Sequence, residues 1–317
     1  MIFHTEMKIP PMECSIVYGD GILFLGSCFA DEVGNLCKGL GFNAMVNPFG
    51  VLYNPLSIER SLYRLHSGQP FTEEEVIEVG EEFYCTFCHN TDFWNPSKEA
   101  LLQQVNTHLA EAHRHFLQTK WVILSLGTAW VYRFHDTHEV VSNCHKLPAQ
   151  RFDRAFLGTE QIVQALSELL RDFPDKQFIF TVSPLRHLKD GLHENLLSKS
   201  ALLLAVDQLC RSFSNGHYFP AYEIMMDELR DYRFYKEDMV HPTDQAVHYI
   251  WERFVDFAIA DSERPAMQQA SELRKMYRHQ ALFPESQAYQ RFLATRKEKE
   301  EQLKNRYPAV ISAHLPH

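Results

Sequence analysis

Gly21-Ile22-Leu23-Phe24-Leu25-Gly26-Ser27-Cys28-Phe29-Ala30 is the stretch that decides how this chain folds. An apolar run closed by a glycine fits a buried strand, and the small tripeptide that follows fits a tight turn into a helix. The helix is legible next: Val33, Leu36, Cys37 and Leu40 share one face, and Asp31 and Glu32 lie in the first turn, where the positive helix end favours carboxylates. Strand-to-helix turns are where α/β enzymes carry reactive side chains. Attention therefore goes to Ser27 and Cys28.

Working outward, residues 1–20, broken by Pro10 and Pro11, read as a lead-in strand and loop. Residues 42–46 form a second short apolar run, and Asn47-Pro48-Phe49-Gly50 followed by Asn54-Pro55 argues for a rigid loop at the carboxyl edge of the sheet. Residues 56–66 read as a helix, Glu73–Glu75 as a short helix or charged face, 84–95 as a surface loop near the site, and 97–118 as a helix capped by Ser97. A third strand at 121–127 ends in Gly127-Thr128-Ala129-Trp130, and 131–158 is irregular or hairpin-like. A helix at 159–173, a strand at 177–182, an apolar helix at 196–213 and a strand at 218–222 complete an alternation that implies a parallel sheet covered by helices on both faces.

Asp238-Met239-Val240-His241-Pro242 then precedes a helix striped by Val247, Ile250, Trp251, Phe254 and Phe257, and the proline places His241 at its cap. From about residue 261 Arg, Lys, Glu and Gln dominate. The expected division is a main domain over 1–258 and a charged helical extension over 259–317, which packs on the domain or pairs with another copy of the chain as a homo-oligomer.

Composition narrows the function. A chain of 317 residues, 45% hydrophobic, suits one large domain with an appendage. A formal charge of −10 without a basic tract excludes nucleic acid as a partner. Seven scattered cysteines fit reduced thiols. The opening residues lack the pattern of a secretion signal, and no apolar run approaches a membrane span, so a soluble cytoplasmic protein with no membrane partner is expected.

Asp238 and His241, three residues apart before a helix, are spaced for the carboxylate to fix the imidazole tautomer and leave the other ring nitrogen to accept a proton. With Ser27 or Cys28 early and this pair late, the chain carries the three roles of a triad in the order nucleophile, acid, base. Cys85-Thr86-Phe87-Cys88-His89 has the spacing of a c-type haem attachment site, and with Cys144 or His145 it offers ligands for zinc. It lacks a second closely spaced ligand pair, and the expectation is no cofactor and no metal.

Gly26-Ser27-Cys28-Phe29-Ala30, Asn47-Pro48-Phe49-Gly50, Leu126-Gly127-Thr128-Ala129-Trp130, Asn143-Cys144-His145-Lys146, Ser183-Pro184-Leu185-Arg186-His187 and Asp238-Met239-Val240-His241-Pro242 together resemble the GSCFA domain family over roughly residues 1–258. That family is similar to the SGNH, or GDSL-like, hydrolases. The resemblance implies a flavodoxin-like three-layer α/β/α sandwich with the helical extension added. It also implies an acyl-enzyme mechanism: an esterase, deacetylases included, or an acyltransferase, acting on a small-molecule or glycan acyl ester.

Setting Gly26 on the first glycine of the SGNH motif places Ser27 at its aspartate and Cys28 at its nucleophilic serine, which favours Cys28 over Ser27. A thiol at a helix start also gains thiolate character from the positive helix end. The resemblance assigns the oxyanion to Gly50 and Thr128, the latter where the pattern usually has asparagine. Substrate contacts are expected from Asn47, His89, His145, Lys146, Arg186 and His187, with a lesser cluster at Asn195, Ser198 and Lys199. The alternative is a binding protein on a hydrolase scaffold that recognises an acylated or sugar ligand without turning it over; a zinc-binding module is the lesser one.

Overall fold

The computed structural model describes residues 5–80 and 82–311; the first four residues of the lead-in segment lie outside this range. Strand β1 (Gly21–Gly26) feeds helix α1 (Cys28–Lys38), then β2 (Asn43–Val46) and α2 (Pro55–Ser67). A hairpin of β3 (Val76–Val79) and β4 (Phe83–Thr86) precedes α3 (Lys98–Gln118) and β5 (Thr119–Leu126). Strands β6 (Trp130–Phe134), β7 (Val140–Val141) and β8 (Phe152–Phe156) lead to α4 (Thr159–Asp172), β9 (Gln177–Val182), α5 (Leu192–Ser212) and β10 (Gly216–Tyr218). A single turn, α6 (Ala221–Glu223), is followed by α7 (Asp244–Ala258), α8 (Arg264–Arg278) and α9 (Gln287–Arg306).

Five strands make one parallel sheet in the order β10-β9-β5-β1-β2. Counted along the chain, this is the 2-1-3-4-5 order of a flavodoxin-like doubly wound sheet, whose direction of winding reverses between β1 and β5. At such a switch point the two following loops diverge to opposite faces and leave a crevice at the carboxyl edge.

The pleat sorts the strands onto two cores. Leu23, Leu25, Val122, Leu124, Phe178 and Phe180 face a core covered by α2, α3, α4 and α5. Ile22, Phe24, Trp121, Ile123 and Ile179 face another covered by α1 and α7. Ala266, Met267, Ala270 and Leu273 of α8 are buried in that second core, so this part of the charged extension packs against the sheet domain. No helix among the described residues is long and apolar enough to cross a membrane.

Several segments differ from their reading in the sequence. Residues 84–95 are no surface loop: β4 buries Cys85 and Thr86 and runs into a turn in which Cys88, His89 and Asn90 are buried. Residues 130–156 take the hairpin-like alternative of their reading, extended to a three-stranded antiparallel sheet closed by Phe134, Val141 and Phe152. The last strand of the main sheet stops at Tyr218, before Pro220, because proline has no N–H to donate to the ladder. Thr243, not His241, caps α7, its side chain accepting from the Ala246 amide. Pro242 instead pairs with Tyr235 across the turn that carries His241.

Gly26 sets how closely β1 and β5 approach. Its φ of 137° lies where side chains are rarely tolerated, and a Cβ there would fall within the Ser125 carbonyl. Gly26→Ala is expected to cost about 3 kcal/mol or more of stability, read by urea unfolding. An unchanged midpoint would contradict this account of the strand end.

Candidate active site

The end of β1 is stitched to its neighbours by backbone and one side chain. The Ser27 amide donates to the Ser125 carbonyl (3.0 Å), the Leu52 amide to the Gly26 carbonyl (2.8 Å), and the Gly26 amide to Asn47 Oδ1 (2.8 Å). Asn47, at φ 40°, also donates from Nδ2 to Asp31 Oδ1 at 2.6 Å. Its side-chain amide thus joins the strand end to the first turn of α1, and both of its ends are spent on the protein.

Ser27 and Cys28 have different places. Ser27 is buried; its Oγ bonds Ser125 Oγ (2.8 Å) and accepts the Phe29 amide (3.3 Å) as the cap of α1. Cys28, the first residue of the helix, is half-buried with its Sγ 3.3 Å from Tyr53 Oη. Burial pushes the Cys28 thiol up, and the Asp31 and Glu32 charges add to this. The Tyr53 hydrogen bond and the cysteine's own backbone amide pull the other way. The thiolate expected from the helix end is therefore opposed, because desolvation outweighs the helix-end field.

The two residues assigned to an oxyanion have their amides engaged. The Gly50 amide donates to the Asn47 carbonyl (2.8 Å), and the Thr128 amide to the Tyr53 carbonyl (2.9 Å), beside Gly127. The Thr128 hydroxyl accepts from the Trp130 amide (3.1 Å) and bonds Ser198 Oγ (3.2 Å). These bonds dock residues 47–54 across the ends of β1 and β5. An amide the sequence reading passed over, that of Cys28, acts to lower its own thiol.

Asp238 and His241 meet as their spacing implied. Oδ2 lies 2.6 Å from His241 Nδ1, while Oδ1 accepts the amides of Val240 and His241 (both 2.9 Å). These bonds pull the Asp238 carboxyl down to about 2, the two amides chief among them. The turn leans on α1 through Lys236, whose Nζ is 4.0 Å from Glu32. His187 links this turn to Cys28: its ring stands edge-on to Tyr53 (5.7 Å), and it lies within electrostatic reach of His241. Burial first, then Lys199 and His241, hold His187 below the usual histidine range. Among the described residues no hydrogen bond joins His241 to Cys28.

Arg186 precedes His187 and has its Nε buried and unpartnered. Lys199 is wholly buried, donating to the carbonyls of Gly127 and Ser183 (both 2.8 Å) at the ends of β5 and β9. Burial, with Arg186 nearby, brings Lys199 down to about 7.

His89 and His145 stand apart from this group, and neither presents a ring to solvent. His89 packs on Phe49 (5.4 Å) and bonds Thr86 Oγ1 (2.7 Å). His145 Nε2 bonds the Thr86 carbonyl (3.0 Å), and its Nδ1 accepts from Trp94 Nε1 (2.9 Å). Lys146 is exposed, over the Trp94 ring. Cys85 is a buried thiol 3.7 Å from the Asn90 carbonyl, and burial drives it up to about 12. Among the described residues no group of three or more His, Cys, Asp or Glu side chains is placed to hold a metal ion.

Tyr53 and Ser125 were missed by the sequence reading. Ser125 left a faint signal, a hydroxyl in an otherwise apolar strand; Tyr53 left none, since its role depends on where the loop lands.

Burial, then His145 and His108, hold His89 down to about 3, against an unfolded value of about 6.5. Below pH 6.5 the unfolded chain takes up a proton that the folded one refuses, so stability falls as pH drops from 6.5 toward 3. Urea unfolding at pH 7 and pH 5 is expected to differ by about 2 kcal/mol through this ring. His89→Asn, less stable at both pH values, should lose that part of the difference. An unchanged pH dependence in the variant would refute this role.

Comparison with curated proteins finds no match. The sequence model of the GSCFA family matches residues 21–254, a span that runs from the start of β1 into α7 and includes the strand-end turn and the Asp238–His241 pair. The chain belongs to the GSCFA family.

Proposed function

We propose that this protein is an acyl-transfer enzyme, an esterase or acyltransferase of SGNH-like type, with Cys28 as nucleophile, His241 as proton carrier and Asp238 as its orienting carboxylate. The observation that carries the reading is the Asp238–His241 pair, bonded at 2.6 Å through Nδ1, in a turn whose Lys236 lies 4.0 Å from Glu32 of the helix that begins at the half-buried Cys28. In the reaction, Cys28 Sγ attacks the ester carbonyl and its proton passes to His241 Nε2. The C–O bond breaks, the alcohol leaves with that proton, and water or an acceptor hydroxyl then cleaves the thioester with His241 as base.

Because the thiol is raised, proton removal accompanies attack; a standing thiolate is not the reactant. Sγ hydrogen-bonds Tyr53 in the unliganded site, so transfer to His241 belongs to the substrate-bound enzyme. The Cys28 amide takes over as an oxyanion donor, since those of Gly50 and Thr128 are engaged. Those engaged amides and the raised thiol favour the second reading, a binding protein on the same scaffold that holds an acyl ligand without turning it over.

Intact-protein mass after brief exposure to an activated acetyl ester and, separately, to an activated octanoyl ester separates the two. The wild type is expected to gain one acyl group; Cys28→Ala should gain none, and His241→Ala should react about 100-fold or more slowly. Ser27→Ala should still be acylated while losing about 1 kcal/mol of stability with the cap. An adduct that survives Cys28→Ala would remove that residue as nucleophile, and no adduct on any form would leave the binding reading.

A further inference from the structure

A cavity of about 380 Å³ opens beside the Asp238–His241 turn, and the turn itself contributes Met239 to its wall. Its apolar lining includes Met225, Met226, Leu188 and Leu192. At its mouth Leu188, Leu192 and Met239 are about half exposed, at 52%, 58% and 50%. Aliphatic side chains left this open around a concavity mark a surface that an apolar ligand covers.

Three charged residues line the same cavity. Arg230 is paired with Asp227 (2.9 Å), and Asp231 with Arg233 (3.7 Å). Arg186 has no ion pair among the described residues, and its Nε is buried without a partner. Another cation, the buried Lys199, lies within its electrostatic reach. A guanidinium whose Nε is buried without a partner, near a second cation, lacks the anion that would complete it. Arg186 precedes His187, whose ring stands edge-on to Tyr53, the hydrogen-bond partner of the Cys28 thiol.

We infer that this cavity is the acyl pocket: it takes a medium-length aliphatic chain against its methionines and leucines, and Arg186 receives the carboxylate of the acid released. The assignment rests on the acyl-transfer reading for its place in the reaction, but binding in the cavity does not require turnover. It makes the preferred substrate a medium-chain acyl ester, with acetyl esters poor ones because they leave the apolar wall wet.

The test is calorimetric binding of octanoate, octanol and acetate to the full-length Cys28→Ala protein, which cannot be acylated at that position. Octanoate is expected to bind at least tenfold more tightly than either control: octanol lacks the carboxylate and acetate lacks the chain. Arg186→Gln should cost octanoate about tenfold and leave octanol unchanged. Leu192→Glu, at an exposed position that does not threaten the fold, should also weaken octanoate. Octanoate binding no tighter than acetate, or indifferent to Arg186→Gln, overturns the pocket. If octanoate binds as expected while no acyl adduct forms on the wild type, the acyl-transfer reading fails and the pocket stands. If acetyl adducts form and octanoate does not bind, the reverse holds.

Discussion

The whole carboxyl edge depends on the chain turning within one residue at Gly26, pressed against the backbone of Ser125. A residue with a side chain cannot occupy that backbone conformation or that space. The turn lets the Ser27 amide reach the Ser125 carbonyl, so α1 starts directly over the gap between β1 and β5. From this follow the half-buried thiol, the capping role of Ser27 and the landing place of residues 47–54. Asn47 then ties the strand end to Asp31 and fixes the first turn of the helix against the loop.

The same edge solves a second problem. Parallel strands that end in loops leave carbonyls beyond the last ladder bond, and a buried carbonyl without a donor is costly. Tyr53 meets two amides of the β5 turn with its carbonyl, and Lys199 meets the carbonyls of Gly127 and Ser183 with a single ammonium. The lysine thereby clamps β5 to β9, beside the β1–β5 switch point. Arg186 lies within its electrostatic reach and has no carboxylate partner among the described residues, whereas Arg230 and Arg233 pair with Asp227 and Asp231.

The chemistry of the site reflects what each group faces. The thiol is on the apolar side and loses more from desolvation than it gains from the helix end and the Tyr53 hydroxyl. The Asp238–His241 pair is on the wet side, where three hydrogen bonds to the carboxylate fix its geometry without desolvating it. The proposed nucleophile and the proposed base are thus held by different elements, α1 and the turn before α7, joined by the Lys236–Glu32 contact. Behind them, Phe49, His89, Thr86, His145 and Trp94 form a buried stack that supports the loop over the strand ends.

Period and punctuation in the sequence determined the alternation of strands and helices, the strand Gln177–Val182, the helix over 97–118 and the strand–turn–helix at Gly26, because each is a pattern of apolar faces within one segment. The three-residue spacing of Asp238 and His241 likewise sufficed to bring them together. What needed the tertiary structure is every role that depends on a partner far along the chain. Ser27 became a cap bonded to Ser125, Asn47 a link between a strand end and α1, and Gly50 and Thr128 donors to other carbonyls. His89 and His145 became buried supports, and Arg186 a cation facing an apolar cavity. A side chain's local sequence specifies which face of its own element it occupies, while burial, hydrogen-bond partner and ionisation are set by whichever element folds against that face.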